Sequence, residues 1–361
     1  MKIILAFFLM ISFASCAVTK QQNTSEPVRG VWVTNVASNA LKSKQDVIET
    51  VQLCKKFGIN NMYVVVWNNG VTMYPSAVVE SYIGIKQSAV YGNRDPLKEI
   101  IEEGHKQGIK VHAWFEFGFS YNYGDSNCIW QNKYPSWVGR DAKGNHLQKN
   151  KFFWWSAFNP AVQTFMNKLV LEVVKNYDVD GVQGDDRLPA MPSEGGYDDA
   201  TKKSYALEHN GAMPPIDHAD KAWVQWRADK LSAYIKDLYG KVKAEKPNCT
   251  VSWAPSIYPW SKEQYLQDWP AWLNGGYADI ILPQLYRYDL PAYEKILIEL
   301  KNTITKEQQK KVFPGILTSL GDGYRVTDVM LKDMIRLNRK YGFEGECLFY
   351  FETLKSNKIF Y

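Results

Sequence analysis

The chain has 361 residues, enough for one large domain or two smaller ones, so core size is no obstacle to folding. With 45% hydrophobic and 22% charged residues it is an ordinary globular composition, which excludes a disordered or fibrous chain. Formal net charge is only +5, from 43 basic and 38 acidic residues spread along the sequence, and no Lys/Arg run is long enough to form a nucleic-acid stripe.

The first fifteen residues read as a leader. Lys2 supplies a small positive region, Ile3 to Phe13 form an apolar run too short to span a bilayer, and small residues Ala14 and Ser15 precede Cys16. A Cys directly after such a pair resembles the bacterial lipobox. That resemblance implies cleavage before Cys16 and lipid on its thiol and new amino terminus. It makes the protein an exported lipoprotein, anchored to a membrane of the cell envelope on the periplasmic side or at the cell surface. A plain signal peptide cleaved nearby is the alternative. Residues 17–27 are polar and read as a flexible tether, so the expected organisation is 1–15 leader, 16–27 lipidated Cys and tether, and 28–361 folded domain.

After the tether, short apolar runs alternate with longer amphipathic segments. The runs are Arg29–Asn35, Asn61–Asn68, Lys110–Phe117, Gly181–Arg187, Thr250–Ser256, Asp279–Tyr286, Val312–Thr318 and Glu346–Glu352. Between them lie helical patterns over Lys44–Phe57, Asp95–Gln107, Pro160–Asn176, Lys221–Glu245, Lys262–Leu273, Leu290–Thr303 and Thr327–Tyr341. Phe57-Gly58-Ile59, Gln107-Gly108-Ile109 and Tyr341-Gly342-Phe343 mark helix ends, because Gly takes the left-handed cap conformation at little cost. Eight strand–helix units in one domain predict an α/β fold, a closed (β/α)8 TIM barrel. A doubly wound open sheet is the runner-up, but it would bring a Gly-rich phosphate loop after its first strand, and Val33-Thr34-Asn35-Val36-Ala37 is not one. The connections from Ser120 to Asn159 and from Leu188 to Lys221 are long, as functional walls after the third and fourth strands would be. Cys54, Cys128, Cys249 and Cys347 are widely spaced without metal-ligand spacing, and their pairing is open.

Reacting groups in such a barrel sit at the C-terminal ends of strands. There the sequence collects Asn35, Asn68, Glu116, Asp185, Asp186, Tyr286, Arg287 and Glu352. Strand alternation sets Gln183, Asp185 and Arg187 on one face of the fourth run, opposite Val182 and Gly184, and so points Asp185 into the mouth. By the same rule His112, Trp114 and Glu116 line the third strand's inner face, and Gln284, Tyr286 and Tyr288 that of the sixth. Glycoside hydrolysis needs two carboxyl groups, one to protonate the leaving oxygen and one to attack or activate water. Asp185 is the choice for nucleophile or base, while Glu116, Asp186, Asp289 and Glu352 compete for the acid. A salt bridge to Arg187 would be the merely structural role of the acidic pair. Aromatics bury large areas, so most of the 13 Trp are expected in the core. Trp67, Trp114, Trp154, Trp155, Trp253, Trp260, Tyr286 and Tyr288 are candidate sugar platforms, each alone better read as packing, while their crowding near strand ends favours a ligand role. Arg187, Gln284 and Tyr286 would hold sugar hydroxyls, with Asn35, Asn68, His112, Arg287 and Glu352 completing the binding set. Five scattered His make a metal site unexpected, no cofactor is expected, and no Gly-x-Ser-x-Gly elbow supports serine hydrolysis.

Several stretches resemble the glycosyl-hydrolase-like family 10 group. They are Arg29-Gly30-Val31-Trp32-Val33-Thr34, Asp95-Pro96-Leu97 with His105, Val111-His112-Ala113-Trp114-Phe115, the long run from Tyr177 to Arg187, and Pro283-Gln284-Leu285-Tyr286. The run to Arg187, followed by Pro189 and Ser193-Glu194-Gly195-Gly196-Tyr197, is the most specific. The resemblance implies a (β/α)8 fold, bacterial export and action on a polysaccharide, such as a cell-wall glycan. Where the family carries a Gly-Ile-His-Phe-like strand before its Asp pair, this chain reads Gly181-Val182-Gln183-Gly184. A glycosidase is therefore the leading expectation. A non-catalytic glycan-binding lipoprotein using the same cleft, and a metal-assisted hydrolase or lyase, are the alternatives. Oligomeric state is left open.

Overall fold

The computed structural model describes residues 26–125, 127–321 and 323–356; Cys16 and the leader lie outside the described residues. Each of the eight apolar runs contains a strand: β1 (Arg29–Val33), β2 (Asn61–Val65), β3 (Lys110–Trp114), β4 (Gly181–Gly184), β5 (Thr250–Trp253), β6 (Ile280–Ile281), β7 (Gly315–Leu317) and β8 (Glu346–Phe349). They form one curled sheet in the order β6-β5-β4-β3-β2-β1-β8-β7, with every pair parallel. Its two edges meet through isolated parallel bridges, Ile281 with Val312 and Gln284 with Gly315. Backbone bonds from Phe313 N to Ile281 O (2.9 Å) and from Leu285 N to Gly315 O (3.0 Å) complete that seam, which leaves no long edge exposed.

The strands stop short of the apolar runs because the last residues of each run turn into the loops that build the mouth. Local chemistry sets the helix ends. Asp95 accepts from Lys98 N, Pro96 opens the helix Pro96–Lys106, and His105 and Lys106 lie in its last turn, where the helix dipole favours positive charge. The helices Pro160–Asn176, Lys221–Glu245 and Leu290–Thr303 have the expected bounds. The expected helix Lys262–Leu273 is instead two, Trp260–Tyr265 and Trp269–Gly275: Leu266 adopts a left-handed φ of 62°, and Pro270 restarts the chain in the first turn of the second. Further short helices, among them Ala77–Ile83 and Asp199–Glu208, lie within connections.

Most of the tryptophans are core, but Trp260 is 44% exposed and Trp226 half-buried. Trp155 meets Trp67 (6.2 Å, stacked), Trp130 (5.0 Å, edge-on), Trp137 (5.6 Å) and Phe165 (5.5 Å), so the loop after β3 packs as a small aromatic core of its own. Trp130 and Trp67 donate their indole N–H groups to Gly70 O (2.7 Å) and Gly118 O (3.1 Å). The loop after β4 is held differently. The buried Arg227 donates to the carbonyls of Ser193, Gly195 and His218, satisfying backbone that would otherwise be stranded. The four cysteines among the described residues are free, and no helix there is long and apolar enough to cross a membrane.

Candidate active site

Beyond Trp114, Phe115 N still donates to Gln183 O (2.9 Å), and the chain then turns at Glu116, with Gly118 N donating to Phe115 O (3.1 Å), which sets Glu116 at the mouth. This turn is laced to the turn after β4. Phe119 N donates to Arg187 O (2.9 Å), and Gly118, at φ 50°, sits so close that a β-carbon would collide with the Arg187 carbonyl. Glu116 and Arg187 therefore face one another. From the opposite side, the buried amide of Gln267 donates to Asp185 O (3.0 Å) and Pro189 O (3.2 Å) and fixes the β4 turn.

The result is three carboxylates around one guanidinium. Arg187 Nη1 lies 3.0 Å from Asp186 Oδ1, and Nη2 lies 3.5 Å from Asp185 Oδ2 and 3.6 Å from Glu116 Oε1. Laid end to end, the last two distances put those carboxylate oxygens no more than about 7 Å apart. That ceiling admits the retaining separation of about 5 Å and only the lower edge of the inverting range. Gln284 donates its amide N–H to Asp185 Oδ1 (2.8 Å), and Asn68 donates to Glu116 Oε2 (2.7 Å). Asp185 is 3% exposed. Burial, with the negative charge of Asp186 beside it, pushes its carboxyl well above the ordinary range against the pull of Arg187. Burial likewise raises the Glu116 carboxyl, opposed by Arg187 and the Asn68 amide. Burial also keeps the Tyr286 phenol protonated, reinforced by the Asp185 charge.

A cleft of about 530 Å³ opens above Glu116. Thr34, Asn68, Asn69 and Asn150 line it with neutral polar groups, and Phe117, Tyr123, Phe152, Leu320, Phe349 and Tyr350 give it apolar and aromatic walls. The hairpin pairing Gln148–Lys149 with Phe152–Trp154 forms one wall, tied down by Asn150 Nδ2 donating to the Tyr265 hydroxyl (3.0 Å).

Of the expected site residues, the mouth brings together Asp185, Asp186, Glu116, Arg187, Asn68 and Gln284, with Tyr286 close by. Others sit elsewhere. Trp114, Trp154, Trp155 and Trp253 are buried and offer no face to a sugar: Trp114 fills the barrel beside Trp32 (6.4 Å), Trp154 packs on Tyr265 (5.9 Å), and Trp253 on Trp272 (6.0 Å). His112 lies lower in the barrel, stacked on Tyr63 (4.7 Å) and bonded to Asn61 Oδ1 (2.9 Å). Asn35 opens onto a separate recess with Ser38 and Asn39, because alternation gives the inward place to Thr34. Glu352 is bound by Ser38 (2.7 Å) and Lys355 (2.7 Å), and Asp289 caps the helix Leu290–Thr303. Arg287 donates to the Tyr286 carbonyl (2.7 Å) and does not line the cleft. The sequence reading missed Thr34, Tyr123, Phe152, Tyr350 and Gln267. Alternation from the inward Trp32 could have found Thr34; Gln267 carries no local signal.

A (β/α)8 barrel with a buried carboxylate pair at the C-terminal ends of β3 and β4, under an aromatic-walled cleft, is a glycoside-hydrolase type of architecture. A glycosyl hydrolase-like 10 family model matches residues 27–333, and the chain belongs to that family. It is similar to the glycosyl hydrolase YngK of Bacillus subtilis, 26% identical over 319 residues that are 79% of this chain and 58% of the relative. It is also similar to the glycosyl hydrolase DigH of Escherichia coli K12, 26% identical over 75% of this chain and 70% of the relative. The chain thus spans little more than half of YngK. In fold it resembles the PgaB glycoside hydrolase domain of Bordetella bronchiseptica, with a TM-score of 0.67 at 14% identity, covering 91% of this chain and 95% of that one. It also resembles alpha-L-fucosidase isoenzyme 2 of Paenibacillus thiaminolyticus, with a TM-score of 0.62 at 18% identity, covering 89% of this chain and 46% of that one.

Proposed function

We propose that the protein is a glycoside hydrolase acting on a polysaccharide, a cell-wall or other extracellular glycan, at the mouth of the barrel. The observation that carries this reading is the pair of carboxylates, Asp185 and Glu116, held within reach of one Arg187 Nη2 at 3.5 and 3.6 Å. Burial raises both carboxyls, Asp185 the further, which favours a proton on each. Glu116 lines the cleft and is the acid that delivers its proton to the glycosidic oxygen as the C–O bond breaks. The Gln284 amide and Arg187 favour the Asp185 anion against its burial, and in that form Asp185 attacks the anomeric carbon or takes the proton of the attacking water. Asp186, 30% exposed at its side chain, completes the charge balance around Arg187. Tyr123, Phe152 and Tyr350 take the stacking role expected of tryptophans.

The test is reducing-end release from a panel of bacterial cell-wall and extracellular glycans by wild type and Asp185→Asn. Release by wild type alone supports the reading. The near-complete burial of Asp185 favours one other reading, a glycan-binding protein using the same cleft. Binding of a panel member with no release by wild type would establish it. We place the protein outside the cytoplasm, held to a membrane by lipid on Cys16; support comes from the leader sequence alone. Radiolabelled palmitate incorporated by wild type but not by Cys16→Ala is the expected result, and unlabelled wild type would refute the anchor.

A further inference from the structure

Arg187 has the composition of a sugar-binding residue and the surroundings of something else. Its side chain is 13% exposed. Nη1 and Nη2 are turned to carboxylates from two different strands, and Nε donates to the Glu116 carbonyl (3.0 Å). Two phenyl rings cover the guanidinium, Phe152 at 4.6 Å and Phe117 at 5.4 Å, and Phe152 belongs to the hairpin whose tip is tied to Tyr265. The groups that face it are Glu116 from the end of β3, Asp185 and Asp186 from the end of β4, and the Tyr265 hydroxyl from the loop after β5. With every carboxylate ionised, three negative charges would share one positive charge in a place largely closed to water. A planar guanidinium spreads five N–H donors over three nitrogens, so it reaches carboxylates set further apart than a compact ammonium can.

We infer that Arg187 is the positioning residue of the site: it holds Asp185 and Glu116 against one nitrogen of its guanidinium, and it does not bind the glycan itself. The hairpin has a part in this, because Phe152 lays an apolar ring over the guanidinium and at the same time walls the cleft. Substrate seated against Phe152 therefore closes the remaining route for water to the pair. This role rests on the glycosidase reading for its consequence in turnover, but the pairing of the carboxylates does not.

The experiment separates the two. Asp and Glu carboxyl carbons are labelled with 13C in wild type, Arg187→Met and Arg187→Lys, and the Asp185 and Glu116 signals are titrated by NMR, with melting curves confirming folding. Removing the cation takes away the charge that favours both anions, so in Arg187→Met both titrations move up by about one pH unit or more. On a hydrolysed glycan, kcat falls about 100-fold, the acid limb of the pH profile moves up with the titration, and KM stays within about twofold. Arg187→Lys keeps the charge and loses the fork, so the titrations stay near those of wild type and kcat recovers part of the loss. Should Arg187→Met not fold, Arg187→Lys still decides: lowered kcat at unchanged KM supports the role. Carboxyl titrations unmoved in Arg187→Met, or a raised KM at unchanged kcat in either variant, would overturn it. If wild type hydrolyses nothing, the glycosidase reading fails while the titrations still test the pairing.

Discussion

The middle of the barrel and its mouth both bury polar side chains from β3 and β4, and they treat them in opposite ways. In the middle, Gln183 accepts from Trp32 Nε1 (2.7 Å) and donates toward Ser252 (3.3 Å), while His112 meets Asn61. These are neutral pairs, and burial lowers the His112 pKa to about 4, which keeps the ring uncharged at neutral pH. Four residues beyond His112 and two beyond Gln183, Glu116 and Asp185 gather with Asp186 around Arg187, and burial there raises both carboxyls. The lower layer spends its hydrogen bonds on a sealed core; the upper layer keeps groups whose charge is unsatisfactory until a ligand arrives. Gln183, in the lower layer, is buried and accepts from Trp32, so it belongs to the core and not to the carboxylate cluster.

Changes that strike one layer should spare the other. The largest effect is expected at the mouth: Asp185→Asn lowers kcat by about 10³-fold or more while the melting temperature holds or rises, since a buried carboxyl that resists ionisation costs stability at neutral pH. Kinetics and calorimetry on the same sample check this, and a fall in stability would break the contrast. Next is the aromatic core under the loop after β3, where Trp155→Ala should cost about 3–5 kcal/mol, read from denaturant unfolding.

The two layers also differ in sign with pH. A histidine whose folded pKa lies near 4 rather than 6.5 is protonated in the unfolded chain first. Its contribution is present above about pH 6.5 and is lost as pH falls toward about 4, on the order of 3 kcal/mol in all. Asp185, with its folded pKa raised, acts the other way: its contribution is full below the ordinary carboxylate range and is lost as pH rises. His112→Gln should flatten the first slope and Asp185→Asn the second, and exchanged effects would contradict the assignment of layers. The smallest effect is expected at the cleft wall, where the proposed function gives Tyr123, 50% exposed, a stacking role; Tyr123→Ala should raise KM about five-fold and leave stability alone.

Alternation and Gly-marked helix ends made the eight strands, the order of helices and the inward direction of Asp185 and Glu116 legible in the sequence, because these are local consequences of a period of two or 3.6. Partners were not legible. That Gln284 and Arg187 turn to Asp185, that Gln267 fixes the β4 turn, and that Trp155 packs inward while Phe152 faces the cleft all depend on contacts between segments far apart in sequence. Tryptophan count alone could not choose between a filled core and a sugar platform, since a large ring serves both, and most of the tryptophans are buried as packing. Asn35, Glu352 and Asp289 have the right residue types at strand ends, but an alternate face, a rim salt bridge and a helix cap claim them.

The central claim is that Asp185 and Glu116 divide the labour of breaking a glycosidic bond. Its most direct test is kcat/KM for Asp185→Asn and Glu116→Gln, each on the hydrolysed glycan and on an aryl glycoside of the same sugar whose leaving group needs no proton. Asp185→Asn should be inactive on both substrates, and Glu116→Gln inactive on the glycan but active on the aryl glycoside. Wild-type turnover of the glycan by either variant would contradict the account.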